Sequence, residues 1–397
     1  MIEAQLPHNW RKIADEMKVV RPQRAQLNTK ITDIRDALRL VLHHAGVGVS
    51  LRATAALAAA AGVVAVSWVA VHGWMKRLGP YVAALLREMV ATSAFAAEKW
   101  GGFDVIAGDA TTVQNPGAKG TTARVHYALR LADLTPRHIE VTDEHGGETA
   151  RRFRAEPGEL WLLDRAYANP PGVESIHSRG AHVVVRYNRG TLPVYDRRGN
   201  RIDVMARLYA TFEREKAHQL PAVVHVGDRR ITGRLCWLRV PADKIAAVRH
   251  RAIRDAKSEG GECDADTLHA AEYVVVFTTV RHELSATKIL QLYRARWQVE
   301  LEFKRSKSLQ DLDRLPNFRP ETIYTWICAK LLLQVIARQI ASPAAAFPPG
   351  GYRWEILPRA SNSPAPRGHA GRRRRAVVRR PIGMASDEQR HPAAHAS

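Results

Sequence analysis

Three acids and one charged stripe are the residues of this chain whose types and spacing could do chemistry. The stripe lies in residues 293–307, a stretch without Gly or Pro, built mostly from good helix formers and preceded by Ser285 as an N-cap candidate. At about 100° per residue, Tyr293, Arg296, Glu300 and Lys307 fall within roughly 60° of one another on a helix wheel. Trp297 and Leu301 border that stripe on one side, Leu292 and Phe303 on the other. Charges between apolar borders point into a cleft, where ionised groups are costly unless something pairs with them. A metal ion and a phosphate backbone together would supply both partners.

Two further acids stand at the ends of apolar runs. Residues 103–107 lead into Gly108, Asp109, Ala110, Thr111, Thr112; Leu160, Trp161, Leu162 and Leu163 lead into Asp164, Arg165, Ala166, Tyr167. In open α/β sheets the C-terminal strand edge is where sites collect. If Asp109, Asp164 and Glu300 converge, their repulsion demands a cation. An all-carboxylate set selects Mg²⁺ or Mn²⁺. Two such ions about 3.5–4 Å apart would activate a water or a 3′-hydroxyl in phosphoryl transfer. Singly, each acid has a plainer role: a strand-end Asp commonly forms a turn, and a helix Glu beside Arg and Lys is commonly a surface ion pair worth ~0.5 kcal/mol. Only their combination speaks for catalysis.

The elements that must position these residues fall into textures. Residues 1–100 read as helical, with Ile31, Ile34, Leu38, Val41 and Leu42 at helical spacing. Ser50 and Gly62 bracket one Ala-rich helix, and Ser67 starts another that ends in Lys76 and Arg77. This outlines a helix-turn-helix at about 50–78, with two core helices of a bundle as the plainer alternative. From residue 101 the pattern turns to strands: 103–107, 125–131, 138–141, 160–163 and 181–187, with a helix at 171–178. That order argues for an α/β fold. Residues 189–280 read as a β-rich insertion, with a hairpin tip at 197–200, strands at 223–226, 231–240 and 273–280, and a charged loop or frayed helix at 249–266. An apolar helix is expected at 325–340. Past residue 341, Pro, Gly, Ala and Arg dominate, and 346–397 is expected to be a disordered tail.

The chain has 397 residues, enough for two or three domains, and a formal charge of +21. The tail from residue 358 holds nine Arg against Asp387 and Glu388, yet the remainder stays strongly basic. Such an excess favours a polyanionic partner, most simply nucleic acid. No run of 18 apolar residues is present, so no membrane partner is expected. Cys236, Cys263 and Cys328 are far apart and indicate neither a disulfide framework nor a zinc site, which leaves a reducing cytoplasm as the expected compartment.

The set Tyr293, Arg296, Glu300 and Lys307 resembles the Y-R-E-K signature of insertion-sequence-four-type DDE transposases. Asp109 in its Gly-Asp-Ala-Thr-Thr run looks like the first D motif of that family, and Asp164 in Leu-Asp-Arg-Ala-Tyr like the second. Residues 116–120 and Gly147, Glu148, Thr149 are also similar, and the resemblance covers roughly residues 35–345. It implies a ribonuclease-H-like catalytic core at 101–345, interrupted by the β-rich insertion and preceded by an all-helical DNA-binding domain. It implies that Asp109, Asp164 and Glu300 hold Mg²⁺ (or Mn²⁺), while Tyr293, Arg296 and Lys307 grip double-stranded DNA near the cleaved end, with Lys76 and Arg77 as further DNA contacts. Relatives that form a DNA hairpin stack a flipped base on an insertion-strand aromatic; Tyr273 is the nearest match here and Trp237 the rival. The implied activity is cleavage at terminal inverted repeats and strand transfer into target DNA, by a bacterial, nucleoid-associated protein that is a homodimer on its DNA. A ribonuclease-H-like nuclease or resolvase, and an inactive tail-altered remnant that only binds DNA, remain the alternatives. A frameshift near residue 341 would produce such a tail.

Overall fold

Strand β1 (Asp104–Val113) is the axis of the molecule, and its sequence explains why. Val105, Ile106 and Ala107 are all buried, as befits a strand covered on both faces, before the run turns polar at Asp109. The structure, a computed structural model, describes residues 2–20, 31–92, 99–117, 120–213, 215–258, 260–315 and 319–341. The expected tail at 346–397 lies outside the described residues.

The helical segment comprises α1 (Trp10–Glu16), α2 (Ile34–Val47), α3 (Leu51–Ala60), α4 (Trp68–Arg77) and α5 (Gly79–Thr92). The capping signals act as expected. Ser50 accepts from the backbone N–H of Ala53, and Ser67 from that of Ala70. After α3, Gly62 takes a left-handed φ of 67°, while the N–H of Gly62 reaches Ala59 O and that of Val63 reaches Ala58 O. This is a Schellman termination, which glycine permits. The link to α4 spans residues 61–67, longer than the three or four residues usual in a helix-turn-helix.

The sheet continues with β2 (Ala123–Arg130), β3 (Pro136–Asp143) and β4 (Glu159–Leu163), then α6 (Pro170–His177), β5 (His182–Arg186), α7 (Val204–Tyr209), β6 (His218–Val226) and β7 (Arg229–Arg239). Helices α8 (Ala242–Ser258) and α9 (Ala265–Ala271) precede β8 (Tyr273–Thr278). Eight strands form one sheet in the order β3-β2-β1-β4-β5-β8-β7-β6. β1 is parallel to β4, and β4 to β5; the other pairings are antiparallel. Residues 189–280 therefore extend the same sheet through the β5–β8 pairing rather than building a second one. The bridge Tyr195–Arg201 closes the expected hairpin tip, with Gly199 at φ 92°. The charged stretch expected as loop or frayed helix is instead mostly the 17-residue α8. None of its residues is buried, and Arg249 ties it to the buried Glu272.

Side chains alternate across β1. Ile106 shares a core with Trp161, Leu163, Phe153 and Val173 under α6. Asp109 pairs in register with Tyr127 of β2, and Tyr127 packs edge-on against Phe303, so Asp109 looks toward the helices of the opposite face. Those helices are α10 (Ala286–Arg294), α11 (Trp297–Gln310) and α12 (Pro320–Ala341). α12 is buried along most of its length and packs on α5, α2 and α4. His44 of α2 joins it through an edge-on contact with Trp326 and bonds Thr54 of α3 at 2.7 Å. Helices and sheet thus make one compact unit, Met1–Gly351. Among the described residues no single helix is long and apolar enough to cross a membrane.

Candidate active site

Gly108 sets the geometry of the first acid. A Cβ at this position would lie 2.8 Å from Leu163 Cδ2 and 3.0 Å from the Phe153 ring, so only glycine lets β1 and β4 close here. Gly108 stands beside Leu163 in the parallel ladder. One step further along both strands puts Asp109 next to Asp164, at the C-terminal end of β4. The two acids that sequence places on separate strand ends are brought together by that register.

The helix carrying the third acid differs from expectation. The stripe is not one continuous helix: α10 ends at Arg294 and α11 begins at Trp297. Between them the backbone bonds run i→i−3, from Ala295 N to Leu292 O, Arg296 N to Tyr293 O, Gln298 N to Ala295 O and Val299 N to Arg296 O. In such a 3₁₀ step residues i and i+3 eclipse, which stacks Arg296 over Tyr293, its guanidinium carbon 5.9 Å from the ring centroid. Ser285 caps α10 as expected, accepting from Lys288 N. Of the apolar borders, Leu292 and Phe303 are buried, while Trp297 is exposed.

From this kink the stripe reaches the strand ends. Arg296 Nη1 donates to Asp109 Oδ2 at 3.0 Å and Nη2 to Glu300 Oε1 at 2.5 Å. Tyr293 Oη donates to Asp164 Oδ1 at 3.3 Å. Lys307 Nζ donates to the carbonyl of Thr112, near the end of β1. The structure therefore brings Asp109, Asp164, Tyr293, Arg296, Glu300 and Lys307 to one place.

Electrostatics divide the two aspartates. Burial pushes Asp109 up to about 6, against the pull of Arg296 and the Ala110 N–H. Asp164 is also buried, which would raise it. Arg296, the Arg165 N–H, Arg186 and the Tyr293 hydroxyl outweigh burial and hold it below its ordinary value. Burial opposes the Arg296 charge too, but Tyr293, Asp164, Asp109 and Glu300 keep it firmly protonated.

The expected three-acid metal set is not assembled in this arrangement. Among the described residues no three His, Cys, Asp or Glu side chains lie close enough together to hold a metal ion. The reason is Arg296, whose guanidinium stands between Asp109 and Glu300 and supplies the positive charge there. The residues nonetheless fit a divalent cation. The donors are all oxygen, and burial leaves the Asp109 charge undercompensated even with Arg296 beside it. The Tyr167 hydroxyl, on which both aspartates act electrostatically, is buried without a hydrogen-bond partner among the described residues.

Tyr273 is not brought to the site. It is buried in the core under α7, its hydroxyl donating to Leu208 O at 3.3 Å and its ring beside His269. Its rival Trp237 is core as well, with Nε1 bonded to Thr211. A strand aromatic fits either role, and here packing takes both. Lys76 and Arg77 are exposed at the end of α4, Arg77 lying over Trp74. Arg186, Glu148 and Tyr167 are neighbours of the aspartates not singled out for a role from sequence. Arg186 ends β5, and only the β4–β5 pairing reveals that it faces Asp164.

A profile described as a transposase DDE domain matches residues 100–336. The chain is 28% identical over 330 residues to the putative transposase InsL for insertion sequence element IS186A of Escherichia coli strain K12, spanning 81% of this chain and 89% of that protein. It is 28% identical over 331 residues to the transposase for insertion sequence element IS421 of Escherichia coli, with the same shares covered. A shorter match, 24% over 198 residues, links it to the transposase for insertion sequence element IS231F of Bacillus thuringiensis subsp. israelensis and spans 44% of this chain and 40% of that one. The matched profile begins just before β1 and ends within α12, so it contains both strand-end aspartates and the kinked helix that faces them. The chain belongs to the DDE transposase family.

Proposed function

We propose that this chain is the transposase of a bacterial insertion sequence, of the type carrying the Tyr-Arg-Glu-Lys signature, which cuts at terminal inverted repeats and joins the ends to target DNA. The observation that carries this is the meeting of Asp109 and Asp164, at adjacent parallel strands, with Arg296 from the α10–α11 kink and Glu300 from α11. The order β3-β2-β1-β4-β5, with only β2 antiparallel to both its neighbours, supports a ribonuclease-H-like core within the larger sheet. The exposed Lys76 and Arg77 support a DNA-binding role for the helical segment, where the relatives' names speak of insertion sequences.

Asp109, Asp164 and Glu300 would hold Mg²⁺ or Mn²⁺, which when bound supplies a Lewis acid for phosphoryl transfer. The remaining work falls to the side chains. Arg296, whose two Nη groups donate to Asp109 and Glu300, has the fork geometry to clamp a phosphate bidentately. Tyr293, its hydroxyl kept protonated by burial and Asp164, can donate to a phosphate oxygen. Lys307 sits at the end of β1 as a point charge on the same face. Joining two element ends requires two copies on the DNA, and the working compartment is the nucleoid.

The test incubates the protein with terminal-repeat DNA, Mg²⁺ and a target plasmid. Joined products that disappear in Glu300→Gln support a transposase. Nicking without joining would favour a nuclease, and binding without any cleavage would favour an inactive remnant.

A further inference from the structure

Strands β7 and β8 lie side by side, with Arg239 opposite Tyr273, yet residues 240–272 separate them and build α8 and α9. Antiparallel neighbours can be joined by a two-residue hairpin, so closing the sheet does not require this excursion. Its root is fixed. Glu272 is fully buried, and its carboxylate accepts from Arg239 Nε at 2.9 Å on one oxygen and from Arg249 on the other. The Glu272 carbonyl accepts from Val240 N at 2.8 Å. One buried acid thus ties together the end of β7, the middle of α8 and the start of β8. Such a carboxylate is costly to leave half-paired, so α8 is held to the sheet although none of its own residues is buried.

The two sides of α8 differ. At about 100° per residue, Ile245, Val248, Ala252 and Ala256 share one side. They are half-buried, and α8 packs on α9. His250, Arg251, Arg254 and Lys257 share the opposite side, and all four are exposed. Asp243 is the acid on that side, in the first turn, where the helix dipole favours it. Asp255 stands at the margin, 3.7 Å from Arg251 Nε and 4.0 Å from Arg254 Nε, beyond hydrogen-bond range. Lys257 has no ion pair among the described residues. Arg251 and Arg254 are three positions apart, as are Arg254 and Lys257, and like charges at that spacing repel along a helix. A merely solvated helix gains from alternating signs; this stripe gains when an anion covers it. From Arg251 to Lys257 it rises about 9 Å, between two and three nucleotide steps of one DNA strand at about 3.4 Å each.

This stripe is separate from the aspartate site. α9 packs on α7, whose Val204, Met205 and Leu208 belong to the core on the α6 side of the sheet, whereas Asp109 looks toward α10, α11 and α12. β7 ends and β8 starts at the sheet edge where β4 and β5 end. In the order β4-β5-β8-β7 that root is three strands from β4, about 14 Å at about 4.8 Å per strand. We propose that the outward face of α8 is a second DNA surface, on which Arg251, Arg254 and Lys257 contact successive phosphates of a duplex without reading its bases. Guanidinium forks and an ammonium point charge suit phosphate oxygens. The choice of DNA as the polyanion rests on the function proposed above.

The experiment measures the affinity of the full chain for terminal-repeat and for unrelated duplexes across a salt series, without Mg²⁺. Arg251→Ala, Arg254→Ala and Lys257→Ala combined should flatten the slope of log K against log salt by about two to three units, at about 0.9 per phosphate contact. The loss should be equal on both duplexes, because phosphates carry no sequence information. Arg251→Lys with Arg254→Lys should keep the slope. Lys12→Ala, which removes an exposed charge on α1, should leave it unchanged. A triple variant with the wild-type slope overturns the inference, and so does a flattening by Lys12→Ala equal to that by Lys257→Ala alone. Should the triple variant fold poorly, acetylation of the wild type decides. Unrelated duplex should slow acetylation of Lys257 several-fold and spare Lys12, and equal rates at Lys257 with and without DNA refute the contact. A wild type that joins ends while the triple variant keeps its slope overturns the inference alone. A wild type that neither nicks nor joins DNA, with the slope lost in the triple variant, overturns the transposase reading and leaves α8 a DNA surface.

Discussion

Arg296 and Asp109 lie 187 positions apart in sequence and meet at 3.0 Å, with the guanidinium 12% and the carboxylate 17% exposed. A pair this sheltered is costly to break from one side, because the remaining charge stays buried. Arg296→Ala should therefore lower stability by about 1–3 kcal/mol in metal-free buffer. Millimolar Mg²⁺ should restore part of that loss, because a cation would replace the missing charge. Thermal melts with EDTA and with Mg²⁺ read both effects. A melt insensitive to Arg296→Ala would mean the pair contributes nothing to the fold.

Asp109 itself carries a pH signature. Its folded-state pKa is raised, from 3.8 to about 6, chiefly by burial. The folded protein thus binds this proton more tightly than the unfolded chain, so the associated stability is fully present below pH 3.8 and is lost as pH rises through about 6. Asp109→Asn keeps a neutral side chain at every pH. Without metal, the variant should gain on the wild type by roughly 1–2 kcal/mol between pH 4 and pH 7, after discounting for partial solvation. It should also be inactive, because it lacks the carboxylate proposed to hold the metal. Urea unfolding at the two pH values gives the answer; a difference that stays flat with pH contradicts the buried-carboxylate account.

How much of this is legible in the sequence differs from residue to residue. Asp109 and Asp164 can be read because apolar runs stop at them, and the i, i+3, i+7 spacing of Tyr293, Arg296 and Glu300 survives the helix break. The break itself has no local signal, since neither Gly nor Pro stands near Ala295. It coincides with tertiary contacts of Tyr293 and Arg296 to partners more than a hundred residues away. Helix α8 is hidden by its charges and by Gly260 and Gly261 after it, because its apolar residues Ile245, Val248 and Ile253 are only half-buried. The joining of β8 to β5 is a long-range pairing, which periodicity cannot express.

Below Glu300 on the same helix, Glu302 is 2% exposed and bonds Gln334 and Arg338 of α12, while Arg338 also donates to Leu134 O in the β2–β3 link. Ser306 adds a 3.1 Å bond to Gln334. This network fixes the rotation of α11 about its axis and so the aim of Arg296 and Glu300. Glu302→Ala leaves Arg338 and Gln334 without their buried partner and should cost about 3–5 kcal/mol. Arg338→Ala should cost less, because Gln334 still satisfies one carboxylate oxygen. At a temperature where Arg338→Ala remains folded, end cleavage should fall while binding to terminal-repeat DNA holds. Equal losses of both would point to general unfolding instead of a misaimed helix.

Tyr273 offers a contrast between a packing residue and a DNA contact. Buried beside His269 and bonded to Leu208 O, it has no free face on which a base could stack. Tyr273→Phe removes a neutral hydrogen bond worth about 1 kcal/mol and should leave strand transfer within twofold. Tyr273→Ala opens a core cavity costing about 3–5 kcal/mol, so its activity should track the folded fraction. A Phe variant that folds normally yet stalls after nicking would restore Tyr273 to the DNA.

Lys76 and Arg77 test whether the helical segment touches DNA at all. Each is exposed at the C-terminal end of α4, and neither forms an ion pair among the described residues. Each phosphate contact releases condensed counterions, so the slope of log K against log salt counts such contacts at about 0.9 per phosphate. Lys76→Ala and Arg77→Ala should each flatten the slope for terminal-repeat DNA by about one unit, and for unrelated DNA equally, because phosphate contacts carry no sequence information. Arg77 also covers Trp74 with its guanidinium at 4.2 Å, so Arg77→Lys separates charge from packing by keeping the slope while losing the stacked cover. An unchanged slope in both alanine variants would assign α3 and α4 to bundle packing and move the DNA-binding surface elsewhere on this basic chain.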